Sequence, residues 1–208
     1  MSFLVSGIHT GIGKTICSAI LCEALGLDYW KPVQAGDLDN SDSHCVKRLT
    51  TNTNIFPEKY RLEIPASPHH AAKEQNIDIK LSDFEMPLSN NGIIVETAGG
   101  LLSPLSDTIS NMDLMKHLQL PNILVSNNYL GSINHTMLSL QCLQKADINT
   151  VGIIFSGDNV PSTREYILNH TDIPVLGSIP YFSSVSAELI QLFALKFKEV
   201  LKEKLYAK

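Results

Sequence analysis

Cysteine is scarce: the 208 residues hold four, Cys17, Cys22, Cys45 and Cys142, and no C-x-x-C spacing pairs any of them. They read as reduced thiols, which points away from a disulfide-stapled secreted protein and toward the cytoplasm. A basic excess is missing too; the net charge of −5 leaves no positive field to gather nucleic acid or an anionic membrane. No apolar run approaches the ~20 residues that span a bilayer. The opening MSFLVSG carries no basic n-region, so a secretory signal is not expected. Repeats and low-complexity tracts are absent. What is there, 44% hydrophobic and 18% charged residues, describes an ordinary globular chain, expected to form a single domain over 1–208 with a sizeable core.

Short apolar runs alternate with helical patterns. Strands are expected at Phe3–Ser6, Leu27–Lys31, Gly92–Glu96, Asn122–Ser126, Val151–Ser156 and Pro174–Ile179. Helical spacing marks Thr15–Leu25, then 111–118, 132–146 and 162–170. It returns over Ala187–Tyr206, where Leu189, Leu192, Phe193, Phe197, Val200 and Leu201 are spaced for one face. Strands that are apolar throughout are buried on both sides, which means a parallel sheet covered by helices. The alternation predicts a doubly wound α/β fold with a mostly parallel sheet. Such folds bind ligands at the carboxyl ends of their strands.

The link between the first strand and the first helix is SGIHTGIGKT, Ser6–Thr15. It ends as a phosphate-binding loop ends, in Gly13-Lys14-Thr15. Its length departs from the common G-x-x-x-x-G-K-[ST] pattern: Ile8 stands where that pattern has glycine, and Gly7 lies one residue further back. Backbone N–H groups along such a loop, here Gly11, Ile12, Gly13, Lys14, Thr15 and Ile16, hold phosphate oxygens, and the helix N-terminus adds positive dipole. Lys14 is expected to reach the β- and γ-phosphates, and the Thr15 hydroxyl to bind Mg2+. A plain glycine-rich turn is the bland alternative; the strand before it, the helix after it and the G-K-T ending count against it.

Three charged residues lie at later strand ends or loops. Lys31, in WKPVQAG, closes a buried strand. It either snorkels to the surface or faces the phosphate loop across a cleft, the latter if the first strand–helix–strand unit is right-handed with adjacent strands. Asp42, in NSDSH, is either a helix N-cap or an acid of a metal site. Glu96, in IIVETAGG, ends a hydrophobic strand read as distal to the loop; a carboxylate there is costly unless a cation compensates it. Gly99 and Gly100 allow close approach of a ligand to the main chain. His69 and His70 would point about 100° apart on a helix, which argues against joint metal ligation.

Gly7-x-x-Thr10-x-x-Gly13-Lys14-Thr15 resembles the G-T-x-T-x-x-G-K-T loop of the dethiobiotin synthetase family, with Ile8 at its first threonine. Further motifs follow in family order: K-P-V-x-x-G at Lys31–Gly36, the aspartate after Asn40-Ser41, and E-T-A-G-G at Glu96–Gly100, where Thr97 replaces the family's first glycine. S-P-H at Ser67–His69, P-L-S-D at Pro104–Asp107 and L-G-S-I-N-H at Leu130–His135 extend the resemblance, which runs from Phe3 to about Tyr181. It implies an ATP-dependent ligase that closes the ureido ring of dethiobiotin on 7,8-diaminononanoate with CO2, releasing ADP and phosphate. It implies that Lys31 holds a carbamate, with Lys14 and Thr10 beside the transferring phosphate, and that Thr15, Asp42 and Glu96 complete the Mg2+–ATP site. Ser156, Gly157, Pro180 and Tyr181 would meet the rest of the nucleotide. Lys31, Ala35, Gly99 and Gly100 would meet the diamine, whose carboxylate would dock at Ser132, Ile133 and Asn134 across a homodimer interface. Ser156 stands where the family often has asparagine, and Ser184 where some members have an acid, so relaxed nucleotide preference is a hypothesis.

Two rivals share this kind of fold. Ligases of the cobyrinate amide synthase group usually add a glutaminase domain, which is not expected in 208 residues. Nucleotide-switch ATPases of the partition or septum-positioning type carry an extra lysine early in the loop; here His9 precedes Thr10, and no lysine precedes Lys14. A switch would hydrolyse ATP without the diamine. Its tail helix could dock on a membrane, whereas a core role explains the same apolar face.

Overall fold

The computed structural model describes residues 1–206. In chain order its elements are β1 (Phe3–Gly7), α1 (Lys14–Leu25), β2 (Asp28–Trp30), β3 (Val33–Ala35), α2 (Asp42–Leu49), β4 (Ile55–Phe56), β5 (Tyr60–Leu62), α3 (Pro68–Glu74), β6 (Ile93–Glu96), α4 (Asn111–Leu118), β7 (Asn122–Asn127), α5 (Ser132–Lys145), β8 (Thr150–Ser156), α6 (Pro161–Leu168), β9 (Val175–Ile179) and α7 (Ala187–Tyr206). Seven strands form a parallel sheet in the order β4-β2-β6-β1-β7-β8-β9. β1 and β6 are buried at every position, as apolar strands covered on both faces must be. The doubly wound α/β class expected from the sequence is the class observed.

The strand order corrects one expectation. β1 and β2 are not neighbours; β6 lies between them and pairs Val5 with Glu96 and Trp30 with Val95. The crossover through α1 steps over one strand position, and the wholly buried IIVE run fills it. Glu96 is therefore not distal to the loop but directly beside the strand that leads into it. Strand order also reverses at β1: β6, β2 and β4 lie on one side, β7, β8 and β9 on the other. Ligands of open α/β sheets bind at such a switch point.

The turn expected after Lys31 contains β3, which pairs with β5 in a separate parallel ribbon, Val33 opposite Tyr60. Helix α2 is capped by Ser41, whose hydroxyl accepts from the His44 N–H at 3.3 Å, so Asp42 is not the cap. Helix α4 opens with a reciprocal capping box between Ser110 and Asp113.

No described helix is long and apolar enough to cross a membrane. Helix α7 packs on α1 and β9, with Ile190, Phe193, Ala194, Phe197 and Leu201 buried. Leu192, expected on that face, is exposed instead. The face is core, and it needs Gly177: a Cβ on that β9 residue would collide with the Phe197 ring. Gly177→Ala is expected to cost roughly 1–3 kcal/mol through overpacking. Urea unfolding checks this, and an unchanged midpoint and slope would mean that α7 does not seat there.

Candidate active site

Glu96 is the most buried charge at the carboxyl edge of the sheet, 1% exposed. A carboxylate so placed must be met by donors. One oxygen accepts from the Ser18 hydroxyl at 2.9 Å and the Tyr29 hydroxyl at 3.0 Å. The other faces the Thr15 hydroxyl at 3.0 Å and the Lys31 ammonium at 3.2 Å. Local periodicity explains the set. Thr15 and Ser18 are one helical turn apart on α1, and Tyr29 and Lys31 are two apart along extended chain, so each pair shares a face.

Asp42, the first residue of α2, joins from the far side. Its carboxylate lies 2.5 Å from the Lys31 ammonium and accepts from Thr15 at 2.7 Å. Burial opposes the charge on Lys31, but Glu96 and Asp42 outweigh it and hold its pKa above the ordinary value. Burial would raise the Asp42 carboxyl, yet the Lys31 charge and hydrogen bond keep it below its usual range. Burial, then the Glu96 charge, pushes the Tyr29 phenol well up, so it stays a donor. Lys14 is pulled down to about 8, chiefly by burial, with Glu96 acting the other way.

The loop is fastened from below. Ile8 and Ile12 are buried, so the unusual isoleucine is an anchor in the core. Gly11 and Gly13 take left-handed backbone, φ 67° and 89°. Lys14 folds back and donates to the His9 carbonyl at 3.0 Å. Across the cleft, Asn111 of α4 donates to the carbonyls of Ala98 and Gly100, and Ser103 accepts from the Gly100 N–H at 2.9 Å.

Two cavities open from this cluster. One of about 300 Å3 is lined by Gly11, Gly13, Lys14, Thr15 and Glu96. The other, about 450 Å3, is lined by Val33, Pro65, Pro68, Ala98 and Ser103. Thr10, Lys31, Gln34, Ala35, Asp37, Asp42 and Gly99 line both, so Lys31 stands in a shared wall. Gly100 faces a third cavity of about 430 Å3, between the loop and α5.

Most of the expected residues thus meet in one cleft. Ile12 and Ile16 lie beneath or beside it, half-buried in the case of Ile16. Ser156 is buried against Gly13, Gly157 donates to the Ile179 carbonyl at 2.9 Å, and Pro180 and Tyr181 are exposed just beyond β9. Ser132, Ile133 and Asn134 line none of the three cavities. Sequence reasoning missed Ser18, Tyr29, Gln34 and Asn111. The first two were findable as polar residues one helical turn from Thr15 and two extended positions from Lys31.

Thr15, Asp42 and Glu96 offer only oxygen donors, which suits a hard cation such as Mg2+. Among the described residues no group of three or more His, Cys, Asp and Glu side chains could hold a metal, and the His69 and His70 rings lie 6.5 Å apart and tilted.

A protein-family model described as an AAA domain matches residues 1–189. The chain is 43% identical to the ATP-dependent dethiobiotin synthetase BioD of Christiangramia forsetii, over 97% of this chain and 98% of that one. It is 41% identical to the protein of the same description from Cytophaga hutchinsonii, covering 93% and 95%, and 39% identical to that from Chlamydia pneumoniae, covering 95% and 89%. Among solved structures, the MinC:MinD cell division protein complex of Aquifex aeolicus aligns with TM-score 0.56 at 12% identity, over 100% of this chain and 96% of that one. A ParA family ATPase from Chlorobium tepidum aligns with TM-score 0.50 at 16% identity, over 99% and 94%. At those identities the likeness is one of fold.

Two outcomes follow from the cluster. Glu96→Ala takes the acceptor from the Ser18 and Tyr29 hydroxyls and leaves Lys31 paired with Asp42 alone, so it is expected to cost roughly 1–3 kcal/mol or more in nucleotide-free unfolding through the unsatisfied buried donors; a loss below ~1 kcal/mol would contradict the cluster's structural role. The pH dependence has a defined sign. Asp42, depressed from 3.8, contributes stability above that pH and loses it as pH falls through the lower folded value. Lys31, raised from 10.5, contributes below that pH and loses it only as pH rises past the folded value. Asp42→Asn should therefore flatten the acid limb of the stability profile; an acid limb of unchanged slope would contradict the pairing.

Proposed function

The chain belongs to the ATP-dependent dethiobiotin synthetase family, and from that premise we propose that its cleft closes the ureido ring of dethiobiotin from 7,8-diaminononanoate, CO2 and ATP. The enzyme is then an ATP-dependent ligase forming carbon–nitrogen bonds. The observation that carries this reading is the shared wall: the phosphate-type cavity and its neighbour meet at Thr10, Lys31 and Gly99. A nucleotide's γ-phosphate and a small second substrate would meet there.

One amine adds to CO2, loses a proton to solvent and becomes a carbamate. A carbamate oxygen attacks the γ-phosphorus and ADP leaves, giving a carbamic–phosphoric anhydride. The second amine attacks the carbonyl carbon and gives up a proton to solvent, and phosphate departs with the bridging oxygen. Such transfer needs alignment and charge neutralisation more than covalent help. Lys14 and the N–H groups of the loop hold the phosphates. The Thr10 hydroxyl donates to the transferring group. Lys31, kept protonated by its two carboxylate neighbours, serves as a cation for the carbamate and not as a base. Thr15, Asp42 and Glu96 would hold Mg2+, which supplies charge neutralisation on the phosphates.

The diamine's carboxylate would be held by Ser132–Asn134 of a second copy, which fits their absence from the cavities of one chain. Exposed Leu130 and Leu138 beside that helix start supply apolar surface for such a contact. Anchoring the remote end would align the reacting amines. Four free thiols support a cytoplasmic setting. The nucleotide-switch reading shares the fold but calls for an early loop lysine, and no lysine precedes Lys14 in this loop.

Phosphate release from Mg-ATP is expected to depend on both diamine and bicarbonate, with dethiobiotin seen by mass spectrometry. Release indifferent to the diamine would favour a nucleotide switch. Lys31→Ala is expected to lower kcat about 10²–10³-fold while ADP binding survives; turnover near wild type would remove Lys31 from the chemistry.

A further inference from the structure

The cleft gives a bound nucleotide a direction. Lys31, Asp42 and Glu96 lie on the β6–β2 side of β1, so the transferring end belongs there. The base must then leave over the opposite half of the sheet, above β7, β8 and the segment after β9. Two polar side chains sit in register at those strand ends, Asn127 and Ser156. Ser156 turns toward the loop: its hydroxyl oxygen lies 2.8 Å from where a Cβ on Gly13 would stand. It packs against the loop's flank and is buried there.

Asn127 is half-buried, with its carboxamide against Gly157. A Cβ on Gly157 would fall 2.9 Å from its Oδ1 and 3.2 Å from its Nδ2. Gly157 is left-handed, φ 85°, and its N–H is tied to the Ile179 carbonyl, so it cannot swing aside cheaply. The neighbouring side chains are engaged, Ser126 with Thr136 at 2.8 Å and Asn128 with the Asp158 carbonyl. Among the described residues no side-chain hydrogen bond takes up the Asn127 carboxamide. The Asn127 carboxamide is thus held against Gly157 at the end of β7 with both its donor and its acceptor open to a ligand.

We propose that Asn127 is the specificity-determining residue for the nucleotide base, doing from the end of β7 what Ser156 at the end of β8 cannot. This rests on the nucleotide-site reading above. A carboxamide carries a donor and an acceptor side by side. It matches the N6 donor and N1 acceptor of adenine and, turned over, the O6 acceptor and N1 donor of guanine. ATP and GTP should therefore bind within a few-fold of each other. An aspartate at 127 accepts only, which suits the two donors of guanine and repels the N1 lone pair of adenine.

Calorimetric titration with ADP and GDP tests this in the wild type, Asn127→Ala and Asn127→Asp, each first shown to be folded by thermal melting. Asn127→Ala is expected to weaken both nucleotides about tenfold, the net worth of one hydrogen bond at the upper end. Asn127→Asp is expected to shift the ADP-to-GDP affinity ratio at least tenfold toward GDP. In turnover the loss should fall on KM for ATP, leaving KM for the diamine unchanged. Variants that bind both nucleotides as the wild type does would overturn the proposal. A wild type that binds neither nucleotide would instead overturn the nucleotide site itself.

Discussion

A carboxylate buried at the end of a central strand cannot be left alone, and Glu96 organises the whole carboxyl edge of the sheet for that reason. Its two oxygens draw Thr15 and Ser18 from α1, Tyr29 from β2 and Lys31 just beyond it. Lys31 in turn draws Asp42, the first residue of α2. One acid thus fixes the opening turn of the loop helix, the tip of β2 and the start of α2 against a single point. Glu96 is buried with Lys31 and three hydroxyls around it, and Lys31 is buried between two carboxylates, because an unpaired interior charge costs several kcal/mol.

The same arrangement suits the proposed chemistry. Lys31 is desolvated, which strengthens its pull on a developing anion, yet its carboxylate neighbours keep it charged. Its place in the wall between two cavities puts one cation within reach of both reactants. The floor beneath is rigid: Ile8 and Ile12 seat the loop in the core, and Asn111 holds the facing Ala98–Gly100 segment. Rigid donors around a site where charge develops need no reorganisation during the reaction.

The sheet was legible because its strands are apolar along their length and its loops carry Gly-Lys-Thr, Lys-Pro and Glu-x-x-Gly-Gly at their carboxyl ends. Strand order was not, since nothing in the periodicity of IIVE says whether it lies beside β1 or beyond β2. The short strands β3, β4 and β5 hold two or three residues each, too few for any pattern to show. Ser41 and Asp42 are both good caps in isolation; only the competing demand of Lys31 and Thr15 for a carboxylate assigns the cap to Ser41. Leu192 is placed outward because the buried stripe of α7 runs through Ile190, Phe193, Ala194, Phe197 and Leu201. Asn127 escaped notice because a terminal asparagine of a strand looks like any other polar stop, and its meaning lies in the Gly157 beside it.

In the proposed reaction the carbamate held at Lys31 is itself the nucleophile toward the γ-phosphorus. Oxygen-18 follows that step directly. With doubly labelled C18O2, the reaction being quenched before its oxygen exchanges with water, one label should appear in the released phosphate and one in the ureido carbonyl. Phosphate free of label would mean that water, not the carbamate, attacks the nucleotide, and Lys31 would then have no part in joining the two halves of the cleft.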